Sequence, residues 1–112
     1  MSSSAPRVLL DECVPRRFGR EVAEFSPSHV VTEGWAGRRN GALLQLMRAA
    51  GFTVFVTVDR NLVFQQDVSR SGIAVVVLHA PSNRVPDLRP LVPRVLDAIA
   101  AATAGDVIHV GG

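Results

Sequence analysis

The sequence predicts a parallel α/β sheet with helices on both faces. Three observations carry this. Short apolar runs alternate with segments whose apolar residues recur at helical spacing. The run Ile73 to Leu78 is apolar on both of its faces, as a central parallel strand must be. Each apolar run also ends abruptly on polar residues, as in "VLLDE" at 8–12 and "FVTVDRN" at 55–61.

The elements follow in order. Residues 7–11 read as the first strand. Residues 15–25 read as a helix, with Pro15 at its first position and Phe18, Val22 and Phe25 on one stripe. Gly19 inside it costs about 1 kcal/mol relative to alanine. Ser26-Pro27 stops it, and His29 to Thr32 is a second strand. Gly34-Trp35-Ala36-Gly37 is a loop. Asn40 is placed to cap a helix over 41–50, which carries Leu43, Leu46, Met47 and Ala50 on one face and stops at Gly51. Thr53 to Val58 is the third strand, 61–70 a short helix, and Ile73 to Leu78 the fourth strand. After a loop at 80–83, a last helix spans 87–103. Its inner stripe is Leu88, Leu91, Val92, Val95, Leu96 and Ile99, and Pro90 and Pro93 sit in its first turns. Gly105 ends it, and Val107 to Val110 adds an edge strand.

With 112 residues and 47% hydrophobic content, the chain is expected to form one domain around one modest core, with residues 1–6 as a loose tail. No apolar stretch approaches the roughly 20 residues of a membrane span. Residues 1–6 have neither the basic nor the apolar region of a secretory signal, so a cytoplasmic location is the default. The single cysteine, Cys13, excludes an internal disulfide and a multi-cysteine zinc site. Net charge is +2, and all 12 basic residues are arginine. Any phosphate contact must therefore come from guanidinium forks, backbone N–H groups or polar side chains.

In a parallel sheet, ligands bind at the carboxyl ends of the strands. Asp11, Glu33, Asp59 and Asn83 each follow a strand, so they should share one edge with Arg16, Arg38, Arg39, Arg60 and Arg84 in the loops beyond. Acids after strands often serve only as caps. Two that converge are harder to explain that way, because carboxylates about 4 Å apart repel by roughly 4 kcal/mol at an effective dielectric of 20. A proton, an arginine or a divalent cation would relieve them. Mg²⁺ commonly uses one or two carboxylates, waters and substrate phosphate, and it can activate water for phosphodiester cleavage. Other α/β chemistries lack their residues. No Gly-Lys-Ser/Thr loop and no Gly-x-Gly-x-x-Gly fingerprint is present, and the lysine of a phosphoacceptor receiver domain is missing.

The stretches "VLLDECVP", "GWAGRRNGALL", "VFVTVDRNL" and "IAVVVLHAPSN" resemble, in order and over 7–110, the small PIN-like domains of bacterial toxin–antitoxin modules related to VapC ribonucleases. The resemblance implies a three-layer α/β/α sandwich with a short parallel sheet. It also implies RNA cleavage dependent on Mg²⁺ or Mn²⁺, a small helix-turn-helix antitoxin as partner, and a homodimer through part of the last helix. Carried over, Asp11 matches the first-strand acid, Glu12 the acid beside it and Asp59 the acid after the third strand. Asp11 and Asp59 would hold the metal, with Glu12 assisting. Arg16, Arg38, Arg39 and Arg60 would bind RNA. The chain departs from the pattern where relatives carry further acids. Asn40 and Ala42 open the middle helix, and Asn61 stands two residues after Asp59. Asn40, Asn61 and Glu33 are therefore rim candidates, and a module that binds RNA or an antitoxin without turnover is the alternative reading.

His29, His79 and His109 are expected to be strand or loop histidines, with His79 on the same edge as the acids. Cys13 is expected to pack, and Trp35 to anchor a loop.

Overall fold

The computed structural model describes residues 5–111, so most of the expected loose tail lies outside the described residues. Five strands form one all-parallel sheet: β1 (Val8–Leu10), β2 (Ser28–His29), β3 (Val54–Thr57), β4 (Ala74–His79) and β5 (Val107–Gly111). Their order is β2-β1-β3-β4-β5. This is a doubly wound order whose direction reverses between β1 and β3, the switch point where such sheets open a crevice.

Strand alternation sends side chains to two separate cores. Val8, Leu10, Val54, Val56, Ala74, Val76 and Leu78 face one way. Leu9, Phe55, Val75 and Val77 face the other. On the first face a 3-10 helix (Arg16–Phe25) packs Phe18 and Val22 beside α3 (Val85–Leu88) and α4 (Val92–Ala101). On the second face α1 (Asn40–Ala49) supplies Leu43, Leu44 and Met47, and α2 (Leu62–Gln65) supplies Leu62. The expected helices on both faces are present.

The last connection is unusual. The β1–β2 step runs toward one edge over the first face, and the β2–β3 and β3–β4 steps run toward the other edge over the second face. These three share one hand. The β4–β5 step also moves toward the β5 edge but carries α3 and α4 over the first face, so it has the opposite hand, against the strong right-handed bias of such units. The apolar demand of the sheet explains this. Both faces of β3 and β4 are apolar; α1 and α2 fill one, and residues of α3 and α4 join the 3-10 helix in covering the other.

Several elements differ from expectation. Residues 16–25 wind as a 3-10 helix with a break at Val22 (φ −123°, ψ 31°), because Gly19 and the β-branched Val22 support an α-helix poorly. Pro15 precedes this helix with an extended ψ of 139°. The second strand stops at His29. Val30 N–H still reaches Leu10 O of β1 (2.9 Å), but the chain then turns away, Glu33 N–H donating to His29 O and Trp35 N–H to Val30 O. Asn40 is the first helical residue and not the cap: Arg39 caps α1, and its carbonyl accepts the Leu43 N–H. The helix expected over 61–70 breaks at Gln66, which is extended, into α2 and a 3-10 turn at Val68–Arg70. The final helix is interrupted by a 3-10 turn at Arg89–Leu91, since Pro90 lacks the N–H that an α-helix would need there. It ends at Ala101, short of Gly105. Gly105 instead turns the chain into β5 with φ 90°, and a Cβ there would lie 2.9 Å from Ser69 O.

Candidate functional site

Because all strands are parallel, their carboxyl ends share one edge, and the residues just beyond them meet there. Asp11 leaves β1 with its N–H donating to Val56 O on β3 (2.9 Å), so it stays locked to the sheet. Among the described residues it is one of three buried polar side chains, with His29 and Thr57. Its Oδ1 accepts the Glu12 N–H (2.8 Å), and its Oδ2 accepts the Thr57 hydroxyl (2.7 Å). Thr57 ends β3 and is fully buried. Having given its one proton to Asp11, the Thr57 oxygen accepts the Asp59 N–H (2.9 Å). One hydroxyl therefore links the Asp11 carboxylate to the backbone N–H of Asp59, across the switch point.

Asp59 is half-buried, and its Oδ1 accepts the Asn61 N–H (2.9 Å), closing the turn into α2. Its Oδ2 accepts no hydrogen bond among the described residues. Half of this carboxylate thus shapes a turn, and half stands available. Cys13 completes the group, with Sγ 3.4 Å from Asp11 Oδ2 and 3.5 Å from Thr57 Oγ1. Burial pushes its thiol pKa up, and the Asp11 charge adds to this. It therefore stays a protonated donor and is a poor nucleophile. The Cys13 carbonyl accepts from Asn83 Nδ2 (2.8 Å), which ties the loop after β4 to the loop after β1.

The other sequence candidates sit further out. Glu12 is exposed, and its Oε1 accepts the Gly37 N–H (2.9 Å), so it holds the loop that leads to Arg38 and Arg39. Glu33 lies in the turn beyond β2, where its Oε2 accepts the Ser28 hydroxyl (2.6 Å). Asn40 is half-buried at the start of α1, and Asn61 is exposed at the start of α2. Arg16, Arg38, Arg39 and Arg60 are all exposed, and none forms an ion pair among the described residues. Trp35 packs edge-on to Phe52 with ring centres 5.9 Å apart, which makes it a packing anchor.

The histidines take two distinct roles. His29 is buried and satisfied at both nitrogens. Its Nδ1 accepts the Val31 N–H (3.1 Å), which leaves Nε2 to donate to Val14 O (2.7 Å). His79, at the end of β4, pairs with His109 of β5 across 2.8 Å between ring nitrogens. The His79 pKa is lowered from its ordinary 6.5, first by desolvation, then by the charges of Arg60 and His109. The folded protein thus binds this proton less readily than the unfolded chain does, so stability declines as pH falls through the ordinary histidine range. In an NMR titration, Arg60→Ala should move the His79 midpoint upward; an unchanged midpoint would show that Arg60 does not act on it.

Among the described residues, no three His, Cys, Asp or Glu side chains form a group able to hold a metal ion. The donors at the edge are instead two carboxylates, Asp11 and Asp59. Oxygen donors of this type suit Mg²⁺ or Mn²⁺ completed by waters and a substrate phosphate and do not make a closed cage; Asp59 Oδ2 is the open one, while both Asp11 oxygens accept hydrogen bonds. Thr57 belongs to the Thr-x-Asp-Arg ending of the third strand, but the sequence assigned it no role. Its signal was a lone hydroxyl at the end of an otherwise apolar strand, two residues before Asp59.

Arginines also gather elsewhere. A cleft of about 480 Å³ between the 3-10 helix and α3 is lined by Arg17, Arg20, Arg84 and Arg89, with Glu21 and Asn83. No helix among the described residues is long and apolar enough to cross a membrane. Searches against protein-family models, curated proteins and solved structures give no significant match.

Proposed function

We propose that this chain is a PIN-like ribonuclease that cleaves RNA phosphodiester bonds with Mg²⁺ or Mn²⁺ held by Asp11 and Asp59. One observation carries the reading: the acids on either side of the β1/β3 switch point are anchored to the same buried hydroxyl, Thr57. When bound, the divalent ion would stabilise phosphate charge and activate water. The chain's own residues do the rest. Thr57 and the Glu12 N–H fix the Asp11 carboxylate in one orientation. Glu12 holds Gly37 of the loop that leads into Arg38 and Arg39, the guanidinium groups proposed to meet RNA there. Arg60 and Arg16 supply guanidinium forks for the RNA backbone. Support for the toxin–antitoxin setting, with a small helix-turn-helix antitoxin, a homodimer and a cytoplasmic location, comes from the sequence resemblance.

The test is RNA cleavage with Mg²⁺ or Mn²⁺ by the parent protein and by Asp59→Asn. Asparagine keeps the oxygen that caps Asn61, so folding should be nearly unchanged. Loss of a charged metal ligand should slow cleavage on the order of 100-fold or more. Equal rates in the two proteins would refute the proposal.

A second reading has its own observation. Asn40 and Asn61 stand where a fuller acidic site would carry carboxylates, and Glu12 and Glu33 are engaged elsewhere. A module that binds RNA or an antitoxin without turnover would share this geometry. It predicts no cleavage by the parent protein and gain of cleavage in Asn40→Asp or Ala42→Glu.

A further inference from the structure

The cleft between the 3-10 helix and α3 is a surface that sequence reading did not single out. Its walls carry four arginines against one glutamate, a formal +3 within about 480 Å³, on a chain whose total is only +2. Arg89 is paired with Glu21 (3.2 Å), but Arg17, Arg20 and Arg84 form no ion pair among the described residues. All four arginines are exposed. Like charges gathered around one cleft make it a favourable place for an anion, more so at low salt. One wall of the cleft is also hydrogen-bonded to the acidic edge. Asn83, which lines it, donates to Cys13 O, and Cys13 Sγ lies 3.4 Å from Asp11 Oδ2.

We infer that this cleft binds the phosphodiester backbone of single-stranded RNA running away from the Asp11–Asp59 edge. The inference rests on the reading of that edge as an RNA-acting site and adds where the flanking strand lies. Planar guanidinium forks suit phosphate oxygens, and several spaced along one groove suit a repeating phosphate chain better than an isolated anion. The link through Asn83 and Cys13 makes the same strand the natural occupant of cleft and edge. With Arg38, Arg39 and Arg60 on other loops of that edge, RNA would meet cations on both sides of the acids.

The test measures anisotropy of a labelled single-stranded RNA against salt concentration, without divalent cation, so that binding is read apart from cleavage. Arg20→Gln/Arg84→Gln is compared with Arg70→Gln/Arg94→Gln, a pair with the same charge change outside the cleft, and circular dichroism checks that both fold. The cleft pair should weaken binding about tenfold or more. It should also flatten the salt slope by roughly 1.4, at about 0.7 for each single-strand phosphate no longer neutralised. The control pair should keep the parent slope. Equal losses in the two pairs would overturn the inference, as would an absence of salt-dependent RNA binding by the parent protein. It would also be overturned if the cleft arginines captured a poly-glutamate peptide and not RNA. The nuclease reading fails separately, through undiminished cleavage by Asp59→Asn, and that result leaves the binding comparison standing.

Discussion

Thr57→Val is expected to destabilise the protein by about 3 kcal/mol and to remove cleavage as well. Valine matches threonine in shape, so the fully buried position suffers no packing loss. What disappears is one oxygen that serves two partners. Without it the buried Asp11 Oδ2 loses its O–H donor and the Asp59 N–H loses its acceptor. A buried polar group left unpaired costs about 1–3 kcal/mol, more when it is charged; here the part-buried Asp59 N–H loses its acceptor and the Asp11 Oδ2 keeps only the weak, long Cys13 S–H donor. Urea denaturation would read the loss as a lower midpoint at constant slope. Thr57→Ser keeps the hydroxyl and should retain most of the stability and the activity. If valine and serine behaved alike in both assays, the hydroxyl would not be what joins the two acids.

Asp11→Ala is expected to be the most damaging change at the edge itself. It removes the acceptor for the Glu12 N–H, the Thr57 hydroxyl and the Cys13 thiol at once. The expected cost is about 2–4 kcal/mol, because the losses fall on buried or partly buried donors. Asp11→Asn separates structure from chemistry. The amide keeps the shape, and its one oxygen accepts from Glu12 or Thr57 but not from both. About 1–2 kcal/mol should be lost. Metal-dependent cleavage should nonetheless fall on the order of 100-fold or more, since a neutral oxygen replaces a charged ligand. A folded Asp11→Asn protein that cleaves RNA like the parent would show that Asp11 only holds the strand end. Calorimetric titration with Mn²⁺ adds a readout independent of RNA: the asparagine variant should bind the ion more weakly than the parent.

The pattern of the chain carried most of the architecture. The runs read as strands at 7–11, 53–58 and 73–78 correspond to β1, β3 and β4, and the stripes read on helices over 41–50 and 87–103 face the two cores in α1 and α4. Parallel strands also fixed in advance which end the acids would occupy. The helix ends and interruptions were less legible. Pro90 breaks the last helix, and the 3-10 winding of 16–25 depends on competing weak preferences that no single residue decides.

At the site, the sequence by itself determined that Asp11 and Asp59 end buried strands and that arginine is the chain's only strong cation. Only the tertiary structure decided that β1 and β3 are neighbours at the switch point, so that Thr57 reaches both acids. It alone turned Glu12 toward Gly37 and Glu33 toward Ser28, and it alone gathered Arg17, Arg20, Arg84 and Arg89, from two distant segments, into one cleft. The physical reason is one of range. Burial and periodicity act within a strand or a helix and leave their mark on adjacent residues. A shared hydroxyl or a shared cleft depends on which strands pair and which face a connection crosses, and here even the hand of the last crossover was set by the need to cover an apolar face.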